Sequence, residues 1–328
     1  MAKKLAFLTF YSGDLYRGVE TLVHELSNKL IELGHNVTVY QRGQKLIESN
    51  YLTVIIDAPD IKNFTQKALK ELDCDIVLPM NGGWQSLLCK MWAIKNKKKV
   101  VISGQAGPGL SDRLNLYTFP DVFLGMTDYQ CSWARNTNPF VKLAKIPNGI
   151  NPETFQGGKE KQKGKRVLCV AALVPMKRLD LAIKAVSKIE NATLTLVGKG
   201  DQEEYLRNLG NELMPGRLEI TSVPYNEISA VYKDADIFTF PTSPWESFGI
   251  AMLEAMASGL AVVASDDPIR REIVGDAGLF VNPENTEEYA AALQKALDTD
   301  WGDKPRKQAE KFSWDKIASE YSELFQKL

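Results

Sequence analysis

Short apolar runs alternate along this chain with stretches in which apolar residues recur every three or four positions. Residues 4–10 form the first run and predict a buried strand. After a polar loop, Val19, Leu22, Val23, Leu26, Leu30 and Leu33 give one core-facing helical stripe. Gly34 ends that helix, and 36–40 returns as a strand. The alternation continues with strands over 52–56, 75–78, 97–102, 121–124 and 142–146. Helices are predicted between them over 63–72, 85–94 and 128–136. A polar, glycine-containing, basic stretch at 156–165 predicts the interdomain linker. A second series then begins, with strands over 166–173, 194–197, 218–222, 237–240, 260–264 and 279–281. Amphipathic helices over 285–297 and 313–328 close the chain. Strand–helix–strand alternation builds a parallel sheet covered by helices. The pattern therefore predicts two α/β, Rossmann-like domains, 1–155 and 165–328.

Within the second domain one stretch carries a chemical pattern. The strand at 237–240 runs into Pro241, and Pro244 follows; proline cannot donate to a sheet ladder, so the strand stops. Ser247 is the expected N-cap of a helix over 248–258, and Gly259 its expected stop. A turn at the carboxyl end of a parallel strand is where such sheets bind ligands. The helix start, Ser247, Phe248, Gly249 and Ile250, offers free N–H groups and the positive end of the helix dipole, a seat for phosphate. Glu246 precedes the seat and Glu254 lies eight residues on, roughly 10–12 Å along a helix axis. The spacing suits an elongated ligand with a diphosphate on the turn and a hydroxylated ring at each carboxylate. Both side chains are then expected to line a polar cleft. Taken alone, Glu246 reads as a dipole partner ahead of the helix and Glu254 as a solvated helix residue.

Other loops at strand ends add candidates. Gly13 and Gly18 bracket the first loop and would let backbone approach a ligand. The G-x-G-x-x-G dinucleotide fingerprint is absent there, which argues against a dehydrogenase. The loop 104–109 is the richest in glycine and carries Gln105, with Asp112 just beyond it. Lys177 and Arg178 follow the strand at 166–173.

Composition narrows the class. The 328 residues suffice for two cores. A formal net charge of -1 gives no support for a nucleic-acid partner. The 4 cysteines are scattered and predict reduced thiols in a cytoplasmic protein, while 2 histidines make a histidine-based metal site improbable. The amino-terminal charge is followed by an apolar run too short for a signal peptide, and no run approaches membrane-spanning length. Lys95, Lys97, Lys98 and Lys99 read as a solvated helix end. With Trp92 beside them, a weak peripheral contact at the inner face of a membrane is the alternative reading. Asp73-Cys-Asp75 and Asp234-Ala-Asp236 resemble a metal motif, but both precede strands, away from the ligand edge, and read as caps. His35 reads as structural, at a helix–strand corner.

The run Glu246-Ser-Phe-Gly-Ile-Ala-Met-Leu-Glu254-Ala-Met-Ala resembles the Glu-x7-Glu donor motif of retaining glycosyltransferases of family 4. Gly18-Val-Glu, Pro147-Asn-Gly-Ile-Asn and the segment around Lys177 are similar to further parts of that family. The resemblance implies a GT-B fold, two Rossmann-like domains across a cleft, with the last helix returning to the first. It implies a nucleotide-diphosphate sugar as donor, Glu254 on the ribose, Glu246 on the transferred sugar and Lys177 on the diphosphate. No essential metal or cofactor is expected, and the acceptor is not specified. Two departures stand out: Ala171 and Ala172 replace the family's glycine and arginine, leaving Arg178 to substitute, and Gln105 stands where a histidine contacts the sugar. A non-catalytic nucleotide-sugar binder, or an epimerase or phosphorylase on the same fold, remain the alternatives.

Overall fold

The computed structural model describes residues 2–13, 18–44, 48–155, 164–224 and 227–328. The chain forms two units, Met1–Gly149 with Trp314–Leu328, and Ile150–Ser313. It passes between them at Gly149 and again at Trp314. The first passage precedes the expected linker, of which 156–163 lie outside the described residues.

The first unit follows the alternation of its sequence: β1 (Lys4–Gly13), α1 (Gly18–Glu32), β2 (Asn36–Gly43), β3 (Leu52–Ile55), α2 (Ile61–Glu71), β4 (Ile76–Pro79), α3 (Trp84–Asn96), β5 (Lys99–Ser103), α4 (Leu110–Tyr117), β6 (Val122–Gly125), α5 (Asp128–Thr137) and β7 (Leu143–Lys145). Among the described residues the strands pair in parallel in the order β3-β2-β1-β4-β5-β6-β7. β1 runs three residues past its predicted end, because Gly13 pairs with Gly43 after a register shift. Leu33 falls outside α1 and is exposed, since Gly34 takes the left-handed turn (φ 86°) that ends the helix. α4 is a helix that the apolar pattern did not predict, because Leu110, Leu114 and Tyr117 point outward and only Leu116 of its large apolar residues is buried. Cys89 and Ala93 of α3, Leu116 of α4 and Ala134 of α5 share one core on one sheet face. Trp92 packs half-buried against that core rather than lying free beside the lysines.

The second unit runs α6 (Pro152–Phe155), β8 (Arg166–Val170), α7 (Leu179–Ser187), β9 (Thr193–Val197), α8 (Glu203–Leu213), β10 (Leu218–Thr221), α9 (Ile228–Asp234), β11 (Ile237–Phe240), α10 (Ile250–Ala257), β12 (Ala261–Ser265), α11 (Pro268–Val274), β13 (Gly278–Val281), α12 (Thr286–Asp298) and α13 (Lys304–Glu310). Its described strands are also parallel, in the order β10-β9-β8-β11-β12-β13. β8 ends at Val170, three residues early. Ala171 and Leu173 turn across the end of β9, where a Cβ at Gly198 would lie 1.9 Å from the Ala171 carbonyl oxygen and one at Gly200 2.2 Å from that of Leu173. Only glycine permits that backbone-to-backbone approach.

The last helix, α14 (Trp314–Gln326), belongs to the first unit and packs on α1. Lys3 N–H donates to His35 Nδ1 at 3.2 Å, so the ring proton sits on Nε2 and is donated to Ser322 Oγ at 2.8 Å. Burial lowers the His35 pKa, consistent with a neutral ring that ties β2 to α14. A Cβ at Gly149 would meet the Trp314 ring at 2.5 Å, so the indole sits directly on the Pro147-Asn-Gly backbone.

Candidate functional site

The polar candidates of the second unit gather at the carboxyl edge of its sheet. Pro175–Lys177 form one turn of 3-10 helix after β8. Ser243 N–H and Ser243 Oγ both donate to the Met176 carbonyl, at 3.0 and 2.9 Å, fixing that turn to the loop after β11. Lys177 thereby forms an ion pair with Glu246. Thr242 Oγ1 donates to the same Glu246 carboxylate at 3.3 Å, and the ammonium lies 5.4 Å from the Phe240 ring centre. The side chains of Lys177 and Glu246 are 15% and 12% exposed, partly desolvated but reachable from solvent.

Arg270, which the sequence pattern did not single out, holds this loop. It is fully buried. Its guanidinium donates to Asp267 Oδ2 at 2.7 Å and to the carbonyls of Glu246 at 2.8 Å, Pro244 at 3.2 Å and Ser243 at 3.3 Å. Asp267 also caps α11 by accepting from Ile269 and Arg270 N–H. A planar fork with several donors can tie one loop at three carbonyls, which a lysine cannot. The available signal was local: an arginine three residues after an Asp-Pro helix start.

Several expectations are corrected here. Gly249, not Ser247, is the N-cap of α10, and the helix starts at Ile250. Gly249 has φ 89°, and a Cβ there would lie 2.8 Å from the Phe240 ring, so no side chain fits the cap. Glu246 therefore stands in a loop, placed by Arg270 and not by helix rise, and the axial distance expected between the glutamates does not apply. Phe248 buries its ring edge-on against Phe312, leaving only its backbone for a ligand. Glu254 does not line an open polar surface. It is 7% exposed and accepts from Tyr232 Oη at 2.6 Å. Burial pushes its carboxyl above the usual carboxylate range, partly offset by the tyrosine bond. Arg178 takes a left-handed φ of 53° between the 3-10 turn and α7. Its guanidinium pairs with Glu284 at 3.0 Å instead of joining Lys177.

In the first unit, Gln105 exchanges hydrogen bonds with the Asn148 side chain, at 3.0 and 3.1 Å, and donates to Ser103 Oγ at 2.8 Å. Asp112 is buried beneath the glycine-rich loop. It accepts from Ala106 and Gly107 N–H and from Asn115 Nδ2, and burial pushes its carboxyl up to about 7. Gly13 closes β1 and Gly18 opens α1; the loop between them, 14–17, lies outside the described residues. The two Asp-x-Asp motifs sit at strand starts. Asp73 and Asp75 pair with Lys4 and Lys98, and Asp234 and Asp236 with Arg166. Among the described residues no three His, Cys, Asp or Glu side chains cluster as metal ligands.

Residues 151–313, nearly the whole second unit, match the family of group 1 glycosyl transferases. An uncharacterized glycosyltransferase of Methanocaldococcus jannaschii is 33% identical over 210 residues, covering 56% of this chain and 53% of that protein. A phosphatidyl-myo-inositol mannosyltransferase of Mycolicibacterium smegmatis is 32% identical over 167 residues, covering 47% of this chain and 43% of its own length. The chain thus spans about half the length of these relatives. The structure of Anabaena HepE in complex with UDP and glucose superposes with a TM-score of 0.86 at 15% identity, over 99% of this chain and 100% of that one. The lipopolysaccharide glycosyltransferase WaaG does so with a TM-score of 0.75 at 18% identity, over 98% and 99%. The fold is GT-B, built of two Rossmann-like domains, and the match to the group 1 glycosyl transferases falls on its second unit.

Proposed function

We propose that this chain is a retaining glycosyltransferase of family 4 that moves a sugar from a nucleotide-diphosphate sugar to an acceptor hydroxyl. The observation that carries the reading is the Lys177–Glu246 pair, set by Arg270 beside the amino end of α10. Lys177 and the first N–H groups of α10 meet the diphosphate. As the bond from the anomeric carbon to the diphosphate oxygen breaks, negative charge grows on that oxygen, and these groups stabilise it. Glu246, released from Lys177 by the phosphate, accepts hydroxyls of the transferred sugar. Glu254 keeps one oxygen on Tyr232 and offers the other to the ribose. The acceptor oxygen forms the new bond on the face the diphosphate leaves and passes its proton to the departing diphosphate oxygen. No metal ion is assigned a step. The HepE complex with UDP-glucose supports this class of donor, and the mannosyltransferase relatives support transfer of a hexose.

A second reading is a nucleotide-sugar binder without turnover. Ala172 in place of the second cation and the Gln105 amide engaged by Asn148 favour it. Thermal stabilisation by a panel of UDP-, GDP-, TDP- and ADP-sugars identifies the donor. Acceptor-dependent release of nucleoside diphosphate, with NMR of the product anomer, then tests the reaction. Release with retained configuration is expected. Inverted product overturns the retaining assignment, and binding without release across acceptors establishes the binder.

A further inference from the structure

Helix α3 is turned inside out. Its buried positions are Gln85, Ser86, Cys89 and Ala93. Its large apolar residues Trp84, Leu87, Met91 and Ile94, spaced three, four and three apart, are 40–68% exposed. That spacing is one continuous outward stripe along the whole helix. Helix α4 repeats the arrangement, with Leu110, Leu114 and Tyr117 all more than half exposed. The two helices are neighbours: they share the core beneath them, and Gly83 N–H and Ser86 Oγ both donate to Asn115 Oδ1, at 3.2 and 2.9 Å. Together they expose seven large apolar side chains on two neighbouring helices, a grouping of the kind that marks an interaction site.

Helix α3 itself contributes cations and no carboxylate, while beside it Lys98 pairs with Asp75 and Lys90 and Lys99 pair with Asp121. No Asp or Glu occurs between Asp75 and Asp112, while Lys90, Lys95, Lys97, Lys98 and Lys99 do. Asp112 itself is buried. Lys95 is exposed on the last turn of α3 and Lys97 follows as its left-handed C-cap. Lys62 of α2 reaches to 5.1 Å from the Trp84 ring centre, and Arg113 is exposed on α4. An apolar stripe flanked by cations, with tryptophan and tyrosine among the apolar groups, matches the headgroup region of a membrane carrying anionic lipid. The rings and aliphatic chains enter the boundary and the ammonium groups meet phosphates.

We propose that the outward face of α3 and α4 docks this protein on the surface of a bilayer that contains anionic lipid. The docking is peripheral: among the described residues no helix is long and apolar enough to cross a membrane. The face stands on its own observations and does not depend on glycosyl transfer.

The test is co-sedimentation of the full chain with vesicles of phosphatidylcholine, with and without phosphatidylglycerol. Binding is expected only with phosphatidylglycerol, and it should weaken as salt is raised. Lys95→Gln with Lys97→Asn should reduce the partition coefficient about 25-fold, about fivefold for each charge removed. Met91→Ser with Ile94→Ser, both on the surface, should reduce it at least about tenfold with the melting temperature unchanged. Equal binding to both vesicles, or binding that neither double variant alters, overturns the proposal. So does a chain that ignores vesicles but self-associates in sedimentation equilibrium until Met91→Ser and Ile94→Ser abolish it, since a second copy then covers the face.

Discussion

The Lys177–Glu246 pair makes a prediction about free nucleoside diphosphate that a simple contact list would get backwards. Glu246 competes with phosphate for the Lys177 ammonium. Removing Lys177 deletes a charge-assisted hydrogen bond to the diphosphate, and Lys177→Ala should lose about 1.5–3 kcal/mol of affinity. At 1.4 kcal/mol per tenfold, that is roughly 10- to 150-fold. Glu246→Gln preserves the shape and leaves an acceptor for Thr242, but it frees the ammonium. Both side chains are partly desolvated, which places the competing attraction at the upper end of the range for surface pairs, about 1 kcal/mol. Glu246→Gln should therefore bind nucleoside diphosphate about fivefold more tightly, while kcat falls because the sugar loses its carboxylate. In the Lys177→Ala, Glu246→Gln double variant the gain should vanish, leaving a coupling energy of about 1 kcal/mol in the double-mutant cycle. Titration calorimetry of the four proteins, at low and moderate salt, measures it. Weaker binding by Glu246→Gln, or the same gain with and without Lys177, refutes the competition.

Three further outcomes follow from the same geometry. Arg270→Lys keeps a charge against Asp267 but cannot hold three carbonyls, so kcat/KM should fall at least about tenfold while the protein still melts cooperatively; unchanged kinetics would remove Arg270 from the positioning of Glu246. The Asp112 carboxyl is held up to about 7 by burial, against an ordinary value of 3.8 in the unfolded chain. A raised carboxyl gives stability that is complete below the unfolded value and is lost as pH rises through the folded one, by at most about 1.4 kcal/mol per unit. Wild type should therefore lose stability relative to Asp112→Asn between about pH 4 and 7, and parallel melting curves across that range would show that Asp112 titrates normally. Exhaustive EDTA treatment should leave turnover unchanged, and activity restored only by added divalent metal would place a metal in the reaction.

Local spacing carried much of this. The alternation that gave the two parallel sheets is a nearest-neighbour property, and Gly34 and Gly259 stop their helices in left-handed turns, at φ 86° and 84°. Lys177, Glu246 and Glu254 were legible as candidates because their segment is long and compositionally distinctive. What spacing could not show was set by partners distant in sequence. Ser247 is a good cap in isolation, yet Phe240 crowds the position two residues on and admits only glycine. Glu254 looked solvated because Tyr232, which covers it, lies on another helix. Arg270 and Arg271 are adjacent in the sequence, and residue type does not distinguish them. Only the first turns inward, to carbonyls some 24–27 residues earlier. The helix expected over 85–94 is present as α3, but its buried side is formed by Gln85, Ser86, Cys89 and Ala93, small and polar residues that an apolar pattern does not mark.

In the proposed arrangement a nucleotide sugar lies along the edge formed by Lys177, Glu246 and α10, with its ribose at Glu254 and its sugar at Glu246. Affinities of Glu254→Gln and Glu246→Ala for the free nucleoside diphosphate and for the intact donor test it most directly. Glu254→Gln retains an acceptor for the Tyr232 hydroxyl, so it should fold as the wild type does and lose affinity for both ligands, by about 1–2 kcal/mol. Glu246→Ala should keep or gain affinity for the nucleoside diphosphate and lose the extra affinity of the intact donor. The reverse pattern, with Glu246→Ala losing the free nucleotide and Glu254→Gln keeping it, would contradict the placement, as would two variants that bind both ligands like the wild type.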